Sequence, residues 1–361
     1  MAHVLLPQIK EKYGYPHCVG HRSTLAGVMY EHCKKEKGIN FHFASRVAEL
    51  KSFVPKPTIS IEPRKGGEPY DVKCDILIAA DGIKSVIRPA ILKAINVEAD
   101  VVDSGQASYR IMLTEDQMKD DPELMKLLKI DAVTRWIGEK RHIIAYPVAS
   151  KTIYNISTAH PDINFAAAPS ATYTTRGDKK DMLDTYKTFQ SKRVQKMLNM
   201  VPDGEICEWK LRVHHPLPTW VHGSVALLGD SAHPTLPHMN QGAAQAIEDA
   251  GSVAVALSLL PDGSPESINK ALRIYQKVRK DRADVIVEMA AVSGKAMQLG
   301  EGKEKEERDK MFAALREKKG GGPVPDKWAD AEVQKMVYGF DCERETEKAF
   351  GESFKELHAQ L

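Results

Sequence analysis

One 26-residue string, VALLGDSAHPTLPHMNQGAAQAIEDA at 225–250, constrains the fold more than any other part of the sequence. Its apolar start followed by Gly229-Asp230 reads as a buried strand that delivers an aspartate to the carboxyl edge of a sheet. Ligands of open α/β sheets bind at that edge, and an aspartate there suits a polyol hydroxyl. Pro234 and Pro237 stiffen the following loop, which would lie against a planar ring. Gln241-Gly242-Ala243 then opens an Ala-rich helix over 241–260. The unpaired amides and positive dipole end of such a helix suit a diphosphate or a partly negative ring carbonyl. A strand ending in Gly-Asp is by itself most often a structural turn. The length and order of this string go beyond that reading.

The remaining periodicities fit an α/β chain with an insertion. Residues 23–37 read as a helix capped by Ser23 or Thr24, with Leu25, Val28, Met29 and His32 on one face and Gly38 at its end. Short alternating segments at 39–43, 46–54, 58–62 and 70–74 read as strands, and the apolar run at 76–80 as a buried strand of a parallel sheet. A helix over 85–92 follows it. Between 100 and 215 the pieces ASYRIML, TRWIGE, HIIAYPV and TIYNIST, with a helix near 179–199, indicate a mostly antiparallel domain inserted into the first. A helix over 266–298 places Leu272, Tyr275, Val278 and Val285 on one buried face. The charge-dense 301–319 reads as a solvated helix, 320–327 as a linker, and the rest as peripheral. The expected division is 1–98, 99–215, 216–300 and 301–361.

Composition narrows the partners. In 361 residues, 51 Lys and Arg against 49 Asp and Glu leave a net charge of +2, which points to neither nucleic acid nor an anionic membrane. Five scattered cysteines without a CxxC pair suit reduced thiols in a cytoplasmic protein without a metal site. No apolar run approaches the roughly 20 residues of a membrane span. His214-His215 lacks further ligands for a metal; His233 suits packing and a loop hydrogen bond better than catalysis, and His142 better a structural place than a cavity wall.

GDSAHPTLP followed by QGAAQAIEDA resembles the second FAD-binding motif of the class A flavoprotein aromatic hydroxylases, the fungal salicylate hydroxylase type in particular. DILIAADGIKSVIR at 75–88 is similar to the DG motif of that family, with Asp81, Gly82, Ser85 and Arg88 in its positions. GYPHCVGHRSTL at 14–25 resembles its HRxxL segment. The resemblance implies an FAD/NAD(P)-binding fold of the glutathione-reductase and p-hydroxybenzoate-hydroxylase type, with an inserted antiparallel substrate domain. It also implies hydroxylation of a phenolic small molecule with NADH or NADPH and O2, in a fungal secondary-metabolite setting. By position, Asp230 would hold the ribityl or diphosphate part of FAD. The Gly242 and Ala243 amides and the Pro234 loop would meet the flavin, and Arg22 would meet the phosphates. Asp81 and Gly82 would shape the cleft and serve the pyridine nucleotide step. Arg110 and Tyr146 resemble residues that hold and activate a phenolate; the competing reading makes them a surface strand residue and a core aromatic.

One departure bears on all of this. None of the 24 glycines makes the GxGxxG turn with which members of the family begin, so the expectation is a chain without the first βαβ unit. That would expose an apolar sheet edge, to be covered by a homo-oligomer or by a partner chain supplying the unit. An incomplete gene sequence is a further option. The alternative to a monooxygenase is a flavin-free or non-redox descendant, a binding protein or a non-oxidative enzyme.

Overall fold

The computed structural model describes residues 9–98, 101–163, 174–317 and 324–360, which divide into two units. One comprises 1–39, 103–211 and 294–333, the other 40–102, 212–293 and 334–361, and each has its own apolar core. The Gly320–Pro323 break expected as a linker lies outside the described residues.

The first helices are α1 (Ile9–Tyr13) and α2 (Arg22–Cys33). α2 begins one residue before the expected cap and stops four residues short; its N-cap is His21, whose Nδ1 lies 2.7 Å from Ser23 Oγ. None of its residues is buried, and Leu25, Val28 and Met29 are exposed. A stripe at helical spacing buries only where another element meets it.

Three antiparallel strands follow in the other unit, β1 (Ser45–Ser52), β2 (Thr58–Pro63) and β3 (Tyr70–Lys73). Residues 39–43, expected as a strand, form none: Ala44 at φ 55° breaks the extended path before β1. β4 (Leu77–Ala79) leads to α3 (Ile87–Ala94).

The larger sheet is built from β5 (Val101–Thr114), then α4 (Glu115–Met118) and α5 (Pro122–Lys129), then β6 (Thr134–Gly138), β7 (Arg141–Val148), β8 (Ile153–Pro161) and β9 (Thr174–Arg176). α6 (Lys179–Tyr186), α7 (Lys192–Asn199) and β10 (Cys207–His214) complete it, with strand order β6-β7-β8-β5-β10-β9. Tyr109, Ile111 and Leu113 of β5, with Ile143 and Ile156 beside them, face a core closed by α5, α6 and α7. α4 and α5 went unread in the sequence; Thr114 forms a capping box with Gln117, and Asp121 with Pro122 starts α5. The single helix expected over 179–199 is two, because the Gln195 amide donates to the carbonyls of Tyr186 (2.8 Å) and Phe189 (3.1 Å) and so satisfies the break.

β11 (Val221–His222) and β12 (Val225–Leu227) return to β4. β12 pairs with β4 in parallel, Val225 opposite Leu77 and Leu227 opposite Ala79. β4 is parallel as expected, but it is an edge strand among the described residues and only its Ala79 is fully buried. α8 (Gly242–Ser258) and α9 (Pro265–Met297) follow, then α10 (Lys303–Arg316), α11 (Ala331–Tyr338) and α12 (Cys342–Ser353).

The buried face of α9 differs from the expected one. Leu272 and Tyr275 are buried as read, but the face continues through Arg279, Ala283, Ile286 and Ala290, while Val285 is exposed. A buried arginine does not register in a hydrophobic pattern. The C-terminal residues are also not peripheral. α12 packs on α8, where the Ser252 and Thr346 hydroxyls meet at 2.7 Å with both residues buried, and the Asn269 amide donates to the Gln360 carbonyl at 2.9 Å. Thr346→Val leaves the Ser252 hydroxyl buried without that partner, at a cost of about 1–3 kcal/mol. The urea midpoint should fall accordingly; an unchanged midpoint would mean that α12 adds nothing to the fold.

Candidate functional site

The end of β12, the turn after it and the start of α8 come together at one polar edge. The chain turns at Gly229–Ser231 immediately after the strand, and Gly229 takes φ 63°. A Cβ there would lie 3.1 Å from Ala246 Cβ, so glycine permits both the turn and the close approach to α8. The turn is fastened to β4 by the Ala79 carbonyl, which accepts from the Leu228 amide (2.9 Å) and the Ser231 hydroxyl (2.6 Å). Asp230 projects from it and is exposed.

α8 begins beside it. A Cβ on Gly242 would reach within 4.0 Å of Asp230 Oδ1. Gln241 is the N-cap, its side chain makes no capping bond, and the first turn carries no acidic residue. The first-turn amides and positive end of a 17-residue helix therefore stand next to an exposed carboxylate. That is a donor and acceptor set for a ligand carrying both phosphate or carbonyl oxygens and hydroxyls, and it fits FAD. Ala243 is exposed, whereas Pro234 is buried by the protein.

Asp81 and Gly82 lie on the neighbouring turn. Asp81 Oδ2 accepts from the Val86 (2.8 Å) and Ile87 (3.3 Å) amides and so holds the start of α3, which the sequence reading did not foresee. Gly82 has φ 77° and open space where a Cβ would stand. Buried Arg88 ties the two turns together, donating to the carbonyls of Ile83 (2.7 Å) and Ser231 (3.2 Å). Thus Asp81, Gly82, Asp230, Gly242 and Ala243 share one unit and one strand edge.

Behind the edge lies a buried charged network. Asp249 of α8, with no exposed surface, accepts from the Gly229 amide at 3.0 Å, from His233 Nε2 at 2.6 Å and from Arg279 Nε at 2.9 Å. Burial pushes its carboxyl up, but the bond and charge of His233 and the charge of Arg279 outweigh this and hold it below the usual carboxylate range. Arg279 also bonds Glu248 and the Gln245 side chain, and Glu248 accepts from Arg282. His233 is buried as expected, but its hydrogen bond leaves the loop for Asp249 of α8. The available signal was the spacing of Gln245, Asp249 and Ser252, polar residues on the inner face of an Ala-rich helix.

The other unit contains Arg22, Arg110 and Tyr146. Arg110 pairs with Ser157, and Tyr146 with Asn155, which puts both on the sheet face opposite the helical core, two strands apart. Arg110 is exposed, yet desolvation leads the causes that lower its pKa; Tyr146 raises it and Arg22 lowers it again. The guanidinium stays cationic at neutral pH. Burial pushes the Tyr146 phenol up, against the pull of Arg110 and of a bond with Asn155, so it is a neutral donor at pH 7. Arg22, in the first turn of α2, is close enough to act on Arg110 electrostatically. His142 is buried, with Nδ1 3.1 Å from the Gln298 amide. The described residues contain no group of His, Cys, Asp and Glu that could hold a metal, and no helix long and apolar enough to cross a membrane.

The profile of the FAD binding domain family matches residues 7–290. The chain belongs to that family. It is 36% identical over 215 residues to the FAD-dependent monooxygenase ntnJ of Nectria sp., a match covering 60% of this chain and 49% of that protein. It is 28% identical over 279 residues to 3-hydroxybenzoate 6-hydroxylase 1 of Aquipseudomonas alcaligenes, covering 76% and 63%. A salicylate hydroxylase substrate complex shares the fold at a TM-score of 0.70 and 23% identity, covering 90% of this chain and 74% of that one. The chain therefore spans about half to somewhat under two thirds of these curated relatives' lengths. The motif resemblance to class A aromatic hydroxylases holds, and the p-hydroxybenzoate-hydroxylase-like fold is the one present.

Within this FAD binding domain Asp81 has a structural task that is independent of any ligand. Asp81→Ala removes the acceptor of two amides at a helix start, a loss of about 1 kcal/mol. Thermal unfolding of the flavin-free chain should show it. A melting temperature equal to wild type would remove Asp81 from the fold's support.

Proposed function

We propose that this chain binds FAD and serves an FAD-dependent monooxygenase that hydroxylates a phenolic small molecule, in a fungal secondary-metabolite setting. The overall reaction takes NADH or NADPH, a proton and O2, places one oxygen atom on the ring and releases the other as water. The observation that supports it most is the Asp230 carboxylate set against the start of α8. When bound, the flavin supplies the oxygen chemistry, which leaves the protein to bind, orient and exclude water.

Asp230 accepts hydroxyl protons of the ribityl chain, and the Gly242 and Ala243 amides donate to phosphate or ring-carbonyl oxygens. The Pro234 loop and the Asp81-Gly82 turn border the same cofactor. Arg110 stabilises a substrate phenolate and lowers its pKa, which makes the ring more nucleophilic. Tyr146 holds its proton and donates to the same oxygen. In this reading residues 99–215 carry the substrate and the stretches at 1–98 and 216–300 the cofactor, with 301–361 as a C-terminal helical region, and the protein acts in the cytoplasm.

Flavin titration of the purified chain tests the cofactor reading: the expected result is saturable quenching of flavin fluorescence and NAD(P)H oxidation that a phenol stimulates. A chain that neither binds FAD nor gains thermal stability from it overturns the proposal in favour of a flavin-free descendant. Asp230→Ala should raise the FAD dissociation constant more than about tenfold, since losing a charged hydrogen-bond partner costs about 1.5–3 kcal/mol. Arg110→Met should keep the flavin and lose phenol-dependent turnover. Loss of flavin from that variant would make Arg110 structural.

A further inference from the structure

We infer that Asp249 is a positioning residue for the cofactor cradle, fastening the turn that carries Asp230 to the same helix whose N-terminus faces it. The inference rests on the FAD reading above.

Two ties make the argument. Asp249 Oδ2 accepts from the Gly229 amide, one residue before Asp230, and from His233 Nε2, three residues after it. Asp230 is thus bracketed by bonds to a single carboxylate. That carboxylate sits on α8 seven residues beyond Gly242, about 10 Å along a rigid helix. Turn and amides are therefore held on one body, and their separation is fixed by helix geometry rather than by a flexible loop. Arg279 supplies the opposing charge through Nε at 2.9 Å, and its remaining donors go to Glu248 and Gln245, so the buried carboxylate is held in one orientation. Every group facing Asp249 in these bonds is a donor. A carboxylate alone among side chains of this size accepts from all three, because an Asn would turn an NH2 group toward another donor.

Asp249→Asn keeps the shape and breaks this match. FAD affinity by fluorescence, apo-protein melting temperature and amide hydrogen exchange are compared in wild type, Asp249→Asn and Thr346→Val, at a temperature where all are folded. Thr346 lies on α12 and meets α8 at Ser252, ten residues beyond Gly242, so Thr346→Val controls for general destabilisation of α8. Asp249→Asn should weaken FAD binding more than about tenfold, or about 1.4 kcal/mol, and speed exchange at the Gly229 amide in the flavin-free chain. Thr346→Val should lower the melting temperature with affinity kept within about twofold. Equal weakening in both variants, or an Asp249→Asn affinity within twofold of wild type, overturns the inference alone. A wild type that binds no FAD overturns the proposed function with it. Should Asp249→Asn fail to fold, His233→Phe cuts one of the two ties without removing the buried charge. It should weaken FAD about threefold or more, and no change would again overturn the inference.

Discussion

The parallel pairing of β4 with β12 is the constraint on which the site depends. Three residues on each strand, 77–79 and 225–227, bring together stretches of chain separated by the whole of the larger sheet. The Ala79 carbonyl accepts from both the Leu228 amide and the Ser231 hydroxyl, which extends the pairing past the end of the strands into the turn. Because parallel strands present the same end on the same side, the Asp81-Gly82 and Asp230 turns emerge at one edge. A long crossover is the only way to connect such strands, and the intervening residues make it.

Short strands this near an open edge hold their turns poorly unless something behind them is rigid. Here that support is charged. Asp249 and Arg279 have no exposed surface, and the cost of removing both from water is offset only where the geometry and the remaining hydrogen bonds are good. Asp249 accepts from three donors, and Arg279 uses Nε and both terminal nitrogens. Such a network contributes little net stability against an apolar replacement, but it admits one arrangement of the loop. The other unit works differently. Its sheet turns an apolar face to α5, α6 and α7 and leaves the opposite face to Arg110 and Tyr146, so alternation along the strands separates the packed face from the one that carries these two side chains.

The strand, turn and helix start at 225–250 were legible because each has a local cause: an apolar run, a glycine at positive φ, an Ala-rich helix. The same holds for Arg110 and Tyr146 as residues of strands. What stayed hidden had non-local causes. Leu25, Val28 and Met29 form a stripe that is exposed among the described residues, since amphipathic spacing states a capacity to pack and not a partner. Arg279 interrupts the apolar pattern of α9 because its charge is met by residues some 30 positions earlier. Asp81, read from a motif as a cleft residue, also supports the start of α3.

The sequence by itself determined the family, the α/β class with its inserted antiparallel sheet, and the identities of the groups at the strand edge. These rest on short-range periodicity and on motifs whose spacing survives translation into any fold that contains them. Only the tertiary structure decided which groups stand together: Asp230 beside Gly242, Arg88 between two turns, Asp249 behind both, and α12 against α8. The reason is that buried polar groups must find partners wherever the chain brings them, and those partners lie tens to more than a hundred residues away along it.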